Sequence, residues 1–173
     1  MLIVLGLSAQ LLAGVPSDTP PPPLRPRPRA VEVSDWYNRR LTVHRWLSYS
    51  VIPIFAFQTV AGNQIWVQGP AAPTWARTGH RVGATALAGI FTVNTITGAW
   101  NLWDSRAVRE GRALRYMHSL SMLTADAGFS WAGATLAKQA ETSPEKRRLH
   151  RTVAFAGMGI TVTSSLLMKF LNK

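Results

Sequence analysis

HRWLSYSVIPIFAFQTV, residues 44–60, decides how this chain is read, because three later stretches repeat its plan. Residues 80–96 run HRVGATALAGIFTVNTI, residues 118–134 HSLSMLTADAGFSWAGA and residues 150–166 HRTVAFAGMGITVTSSL. Each opens on a histidine. His44, His80, His118 and His150 are the only four in the chain, spaced 36, 38 and 32 residues apart. Eleven positions after each, about three helical turns and so on the same face, stand Phe55, Phe91, Phe129 and Thr161. Fourteen positions after each stand Gln58, Asn94, Ala132 and Ser164. The face between is small or flexible: Ser48, Ala84, Leu87, Met122, Ala125, Ala154 and Gly157.

Outward from these repeats the chain alternates apolar blocks with short charged connections. Only 16% of its 173 residues are charged, against roughly a quarter in soluble proteins. Four spanning segments are expected at about 41–63, 80–103, 116–137 and 150–171, each long enough for a ~30 Å hydrocarbon layer at ~1.5 Å per residue. Glycine, serine and threonine within them let helices approach closely in lipid. Trp36, Tyr37, Trp46, Trp100, Trp103 and Tyr116 mark one boundary and Trp66, Trp75 and Trp131 the other. Pro53 is expected to kink the first segment. A water-soluble bundle is disfavoured because the segments present almost no charged face. The expected fold is all-α, an integral-membrane antiparallel four-helix bundle over residues 36–173.

Ahead of it, residues 1–14 read as a signal peptide or short anchor, and residues 15–35 as a disordered Pro/Arg-rich linker. The net charge of +11 does not point to nucleic acid, because the arginines sit at segment ends rather than along one face; there they meet lipid headgroups. Twelve Lys/Arg residues fall on the side of the two termini and seven on the other, which favours cytoplasmic termini. A cleaved signal would place the new N-terminus outside, so the two signals oppose each other. Fifteen arginines against four lysines hint at a GC-rich bacterial genome, and the expected location is a bacterial inner membrane, multi-pass.

Alternating spans put His44 and His118 near one surface and His80 and His150 near the other. Two imidazoles at each face are what one b-type haem requires, so the expected cofactors are two haem b with these four histidines as iron ligands. With no cysteine in the chain, the haems are non-covalent and thiolate or iron–sulfur sites are excluded. One four-histidine metal centre is excluded because the pairs lie most of a membrane apart. Two-histidine zinc or copper sites would need further ligands. Arg45, Arg81 and Arg151, each directly after a histidine, suit both haem propionates and headgroups. Gln58 is expected beside the His80/His150 site, and Asn94 and Ser164 beside His44/His118, bonding an imidazole or haem edge; helix–helix hydrogen bonding is their plainer role. Phe55, Phe91 and Phe129, roughly 16 Å from their histidines, should meet in a central layer. Asp126, the one carboxylate deep in a span, is expected to be protonated, paired with a polar neighbour such as Gln58 or Asn94, or near water, in a structural hydrogen bond or a proton-uptake role.

One histidine per helix, at His44, His80, His118 and His150, resembles the four-helix core of the cytochrome b561 superfamily over residues 36–171. There the first and third core helices share one haem, and the second and fourth share the other. The resemblance implies transmembrane electron transfer from a quinol, an ascorbate-like reductant or a redox protein to an acceptor on the other side. Family members usually carry a further helix on each side of the core, and no residues here match a reductant or ferric-chelate site. The alternatives are a cofactor-free membrane scaffold and a haem-bearing anchor subunit of a larger redox complex. Membrane lipids are partners in every case, with self-association as a homodimer or assembly into a complex as further partner readings.

Overall fold

The computed structural model describes residues 34–171, which belong to one unit, Val31–Lys173. The signal-or-anchor stretch and the linker up to residue 33 lie outside the described residues. Among the described residues there is no strand. Helix α1 spans Asp35–Gln68, α2 Thr74–Asp104, α3 Arg112–Trp131, α4 Ala137–Ala140 and α5 Pro144–Leu171. A five-residue π turn, Ala132–Leu136, runs α3 into α4, so four long helical elements result.

Each long helix starts four to six residues ahead of the segment read from the sequence, because polar residues extend it past the apolar block. At α1 the start is set one residue inside the expected linker. Ser34 Oγ accepts the Tyr37 N–H at 3.2 Å, and Asp35 complements the positive helix end. Helix α1 continues through Pro53, which has no N–H for the Tyr49 carbonyl. It ends where Gly69 takes a φ of 55°, a conformation that glycine adopts without Cβ strain.

Helix α1 packs chiefly on α2, and α3 chiefly on α5, with sparser contact between α2 and α3 and between α1 and α5. Partners count up along α1 as they count down along α2. Arg40 Nε donates to Asn101 Oδ1 at 3.2 Å and its guanidinium pairs with Asp104. Further along, Asn94 bonds Ser48 and Gln58 bonds the His80 carbonyl. The diagonal pairs, α1 with α3 and α2 with α5, are not among the closely packed ones.

At the centre Phe55, Phe91 and Phe129 meet. Their ring centroids lie 6.3 Å apart for Phe55–Phe91, 5.6 Å for Phe55–Phe129 and 5.1 Å for Phe91–Phe129. Val51 and Leu87 complete the buried cluster. Helix α5 contributes the smaller Thr161, also buried. The layer makes a stability prediction. Phe91→Ala removes on the order of 100 Å³, and at ~24 cal/mol per Å³ the cavity part alone costs about 2 kcal/mol. The unfolding midpoint of the variant should fall accordingly; an unchanged midpoint would mean that the layer does not hold the helices together.

Polar side chains are buried beside the apolar cluster, and many large apolar side chains are exposed. Gln58, Asn94, Asn101, Ser105, Thr161 and Ser164 are buried, whereas Ile52, Val82, Ile96 and Leu120 are 50%, 61%, 57% and 68% exposed. All seven tryptophans are exposed as well. Helices α2 and α5 are each long and apolar enough to cross a membrane, with 18-residue windows of mean hydropathy 1.3 and 1.4. The sequence reading expects four such helices, and among the described residues two meet the measure. Gln58, Asn63 and Gln64 in α1, and Arg115, His118 and Asp126 in α3, lower the average of the other two.

Candidate functional site: two facing histidine pairs

The four histidines meet as two pairs across the diagonals. His44 of α1 faces His118 of α3 with ring centroids 6.4 Å apart and planes at 73°. His80 of α2 faces His150 of α5 at 6.2 Å and 63°. All four rings are partly buried. Each pair lies along its helices on its own side of the phenylalanine layer.

Hydrogen bonds orient three of the rings, and every one uses Nδ1. His150 Nδ1 lies 3.0 Å from the Ala132 carbonyl. A carbonyl only accepts, so Nδ1 carries the hydrogen and Nε2 keeps its lone pair. His44 Nδ1 lies 3.2 Å from Thr97 Oγ1. That hydroxyl already donates to the Val93 and Asn94 carbonyls at 2.8 and 3.2 Å, so His44 is the donor and its Nε2 is likewise left free. His118 Nδ1 sits 2.8 Å from Ser164 Oγ. The His80 Nδ1 is buried without a partner. No Nε2 takes a protein hydrogen bond among the described residues.

Two glycines make room for the rings. A Cβ built at Gly98 would stand 3.3 Å from His44 Cε1, and one at Gly62 would stand 3.4 Å from His80 Cε1. Each glycine lies eighteen residues past the histidine of its own helix and receives the histidine of the neighbouring helix. The sequence reading stopped at position fourteen and missed both glycines and Thr97. The repeated spacing from His44 to Gly62 and from His80 to Gly98 was the available signal.

The other expected site residues divide. Ser164 reaches the His118 ring as expected. Gln58 and Asn94 lie beside the expected histidines and bond to neither ring; they make the plainer helix–helix hydrogen bonds between α1 and α2. Gln58 Nε2 donates to the His80 main-chain carbonyl at 2.9 Å. Asn94 Nδ2 donates to Ser48 Oγ at 3.1 Å, and Ser48 in turn donates to the His44 carbonyl at 2.8 Å. Both amides therefore brace the helical turn bearing a histidine. Arg45 and Arg81 are exposed and form no ion pair among the described residues. Arg151 lies over the Trp66 ring at 4.7 Å. Asp126 bonds Thr95 rather than Gln58 or Asn94, whose amides are engaged elsewhere. Thr95, one residue beyond Asn94, is turned about a quarter of the helix away, towards α3.

The donor set narrows what the pairs can hold. Imidazole–metal bonds of ~2 Å on each side, with about 1 Å from each ligating nitrogen to its ring centre, put two coaxial imidazoles roughly 6 Å apart. Both pairs have that separation. Among the described residues no group of three or more His, Cys, Asp or Glu side chains is placed to hold a metal ion. A bare zinc or copper ion would therefore lack its usual ligand count. A macrocycle that brings its own equatorial donors needs only the two imidazoles. These residues fit a bis-imidazole haem.

Compared with known protein families, curated proteins and solved structures, the chain matches none.

Proposed function

We propose that this chain is a small integral-membrane b-type dihaem cytochrome that carries single electrons between the two faces of a bilayer. Its four long helices would form an antiparallel bundle crossing the membrane, with both ends of each helix near an interface. The observation that carries the reading is the double facing of imidazoles, 6.4 and 6.2 Å between centroids, with Nε2 unclaimed on every ring. The apolar exterior, the buried amides and the exposed tryptophans support immersion in lipid, where an outward Leu or Ile is at home. The likeness to the cytochrome b561 core supports the same pairing of first with third helix and second with fourth.

On this reading His44 and His118 would hold one haem b, and His80 and His150 the other. Bound there, each haem supplies a one-electron ferric/ferrous couple. The protein's own part is positional. Thr97, Ser164 and the Ala132 carbonyl fix ring orientation through Nδ1, and Thr97 and the Ala132 carbonyl, which accept there, raise ligand basicity. Gly62 and Gly98 give the rings space. Phe55, Phe91 and Phe129 keep water out of the layer between the sites. Arg45, Arg81 and Arg151, one residue past three of the histidines, offer guanidinium groups to propionates or lipid phosphates. With a histidine pair to hold each haem, the activity would be electron relay between a donor such as a quinol, an ascorbate-like reductant or a redox protein and an acceptor on the far side.

The test is a reduced-minus-oxidised spectrum with a haem count on the full chain extracted from membranes of a haem-producing host. Two low-spin b-type haems per chain are expected. A chain that accumulates in the membrane without haem would make it a scaffold and end this reading.

A further inference from the structure

At the fourteenth position after the histidine, α1, α2 and α5 carry Gln58, Asn94 and Ser164, all with polar side chains. The α3 element carries Ala132, whose methyl group offers no hydrogen bond, and yet the His150 ring is met there by the Ala132 main-chain carbonyl at 3.0 Å. The π turn begins at this same residue. In a regular α-helix the Ala132 carbonyl would take the N–H four residues on. Here it takes the Ala137 N–H, five residues on. The wider turn absorbs one extra residue. It leaves Gly133, Ala134 and Thr135 exposed on the outside while Ala132 and Leu136 stay buried at 3% and 1%. No proline lies in or beside it. Single π turns inside α-helices are uncommon and concentrate at functional sites.

We infer that the π turn Ala132–Leu136 is a positioning element for His150, presenting the Ala132 carbonyl to its Nδ1. The inference rests on the haem reading for its purpose, though the contact itself does not. It makes the two sites unequal. His150 faces a group that can only accept, which commits its Nδ1 as a donor and makes the ring a more basic ligand. His118 faces the Ser164 hydroxyl, which can donate or accept.

Deleting one residue from a π turn restores α register while the flanking residues keep their orientation. Deletion of Gly133, whose absent Cβ would meet nothing within 4 Å, is the first variant, and deletion of the exposed Thr135 the second. In the reduced full chain labelled with ¹⁵N-histidine there are four ring signals, and that of His150 is assigned by its loss in His150→Gln. In the wild type its Nδ1–H should resonate downfield and exchange slowly. In either deletion it should move upfield and exchange faster. The haem count should hold, with the midpoint potential of one haem rising and the other unchanged, since a less basic ligand favours the ferrous state. A wild-type Nδ1–H that exchanges freely, or one that the deletions leave unmoved, would overturn the inference, and the first of these does so even where the deletions fail to fold. If the wild type carries no haem, the cytochrome reading fails, and the same Nδ1–H comparison between wild type and deletions still tests whether the π turn holds His150.

Discussion

Replacing His118 with leucine should halve the haem content, from two per chain to one, and leave a low-spin spectrum from the remaining site. His44→Leu should remove the same haem, and His80→Leu or His150→Leu the other. The ground is geometric: each ring faces one partner only, His44 with His118 and His80 with His150. A leucine of similar bulk fills the space without offering a nitrogen, so one imidazole is left where two are needed. Independence of the two losses follows from distance. Each histidine lies eleven residues, roughly 16 Å of helix, from the phenylalanine layer, and sites more than ~7–10 Å apart without shared partners act additively. The double variant His44→Leu/His118→Leu should therefore match either single one, while His118→Leu/His80→Leu should bind none. Haem extracted per chain, with the spin state read from the absorption spectrum, checks this. Loss of both haems from each single replacement would show the two sites forming as one unit, against the separation argued here.

Gly98→Val should weaken haem at the His44/His118 site alone, and Gly62→Val at the His80/His150 site alone. The Cβ by itself would stand 3.3 Å from His44 Cε1 or 3.4 Å from His80 Cε1, and the two valine methyls reach further into the space of the ring. Overpacking of this kind costs about 1–3 kcal/mol, so the affected site should hold haem roughly 5- to 150-fold less tightly. The ring cannot simply swing clear, because His44 is tied to Thr97. Gly89→Val and Gly159→Val are the controls: a Cβ at either meets nothing within 4 Å, so both should bind as the wild type does. Haem titration of the four variants separates the outcomes. If the two controls weaken as much as Gly98→Val and Gly62→Val, valine is acting on the helix and not on the rings.

Much of the architecture could be read from the chain because helical periodicity is local. Histidines at 44, 80, 118 and 150 and phenylalanines at 55, 91 and 129 share a phase, and that phase brings the three rings together within 6.3 Å. The helix ends were less legible, since polar residues at the starts of the helices extend them without any apolar signal. The bonding at the rings was less legible still. Asn94 and Thr97 are three residues apart on one helix, and nothing in their order says that the threonine takes the His44 ring while the asparagine braces Ser48. The Ala132 carbonyl could not have been found from residue type at all, since main-chain groups are the same everywhere.

By itself the sequence determined the helical class, the apolar periodicity, one histidine for each long helix and the apolar layer between them, because 3.6 residues per turn places such groups whatever the neighbours do. Only the tertiary structure decided which donor or acceptor meets each Nδ1, that Asp126 pairs with Thr95, and that α3 widens into a π turn opposite His150. Those outcomes depend on how each helix is rotated about its axis and how near its neighbour stands. Both are set by close packing between residues far apart in the chain, where a few tenths of an ångström separate a contact from a clash.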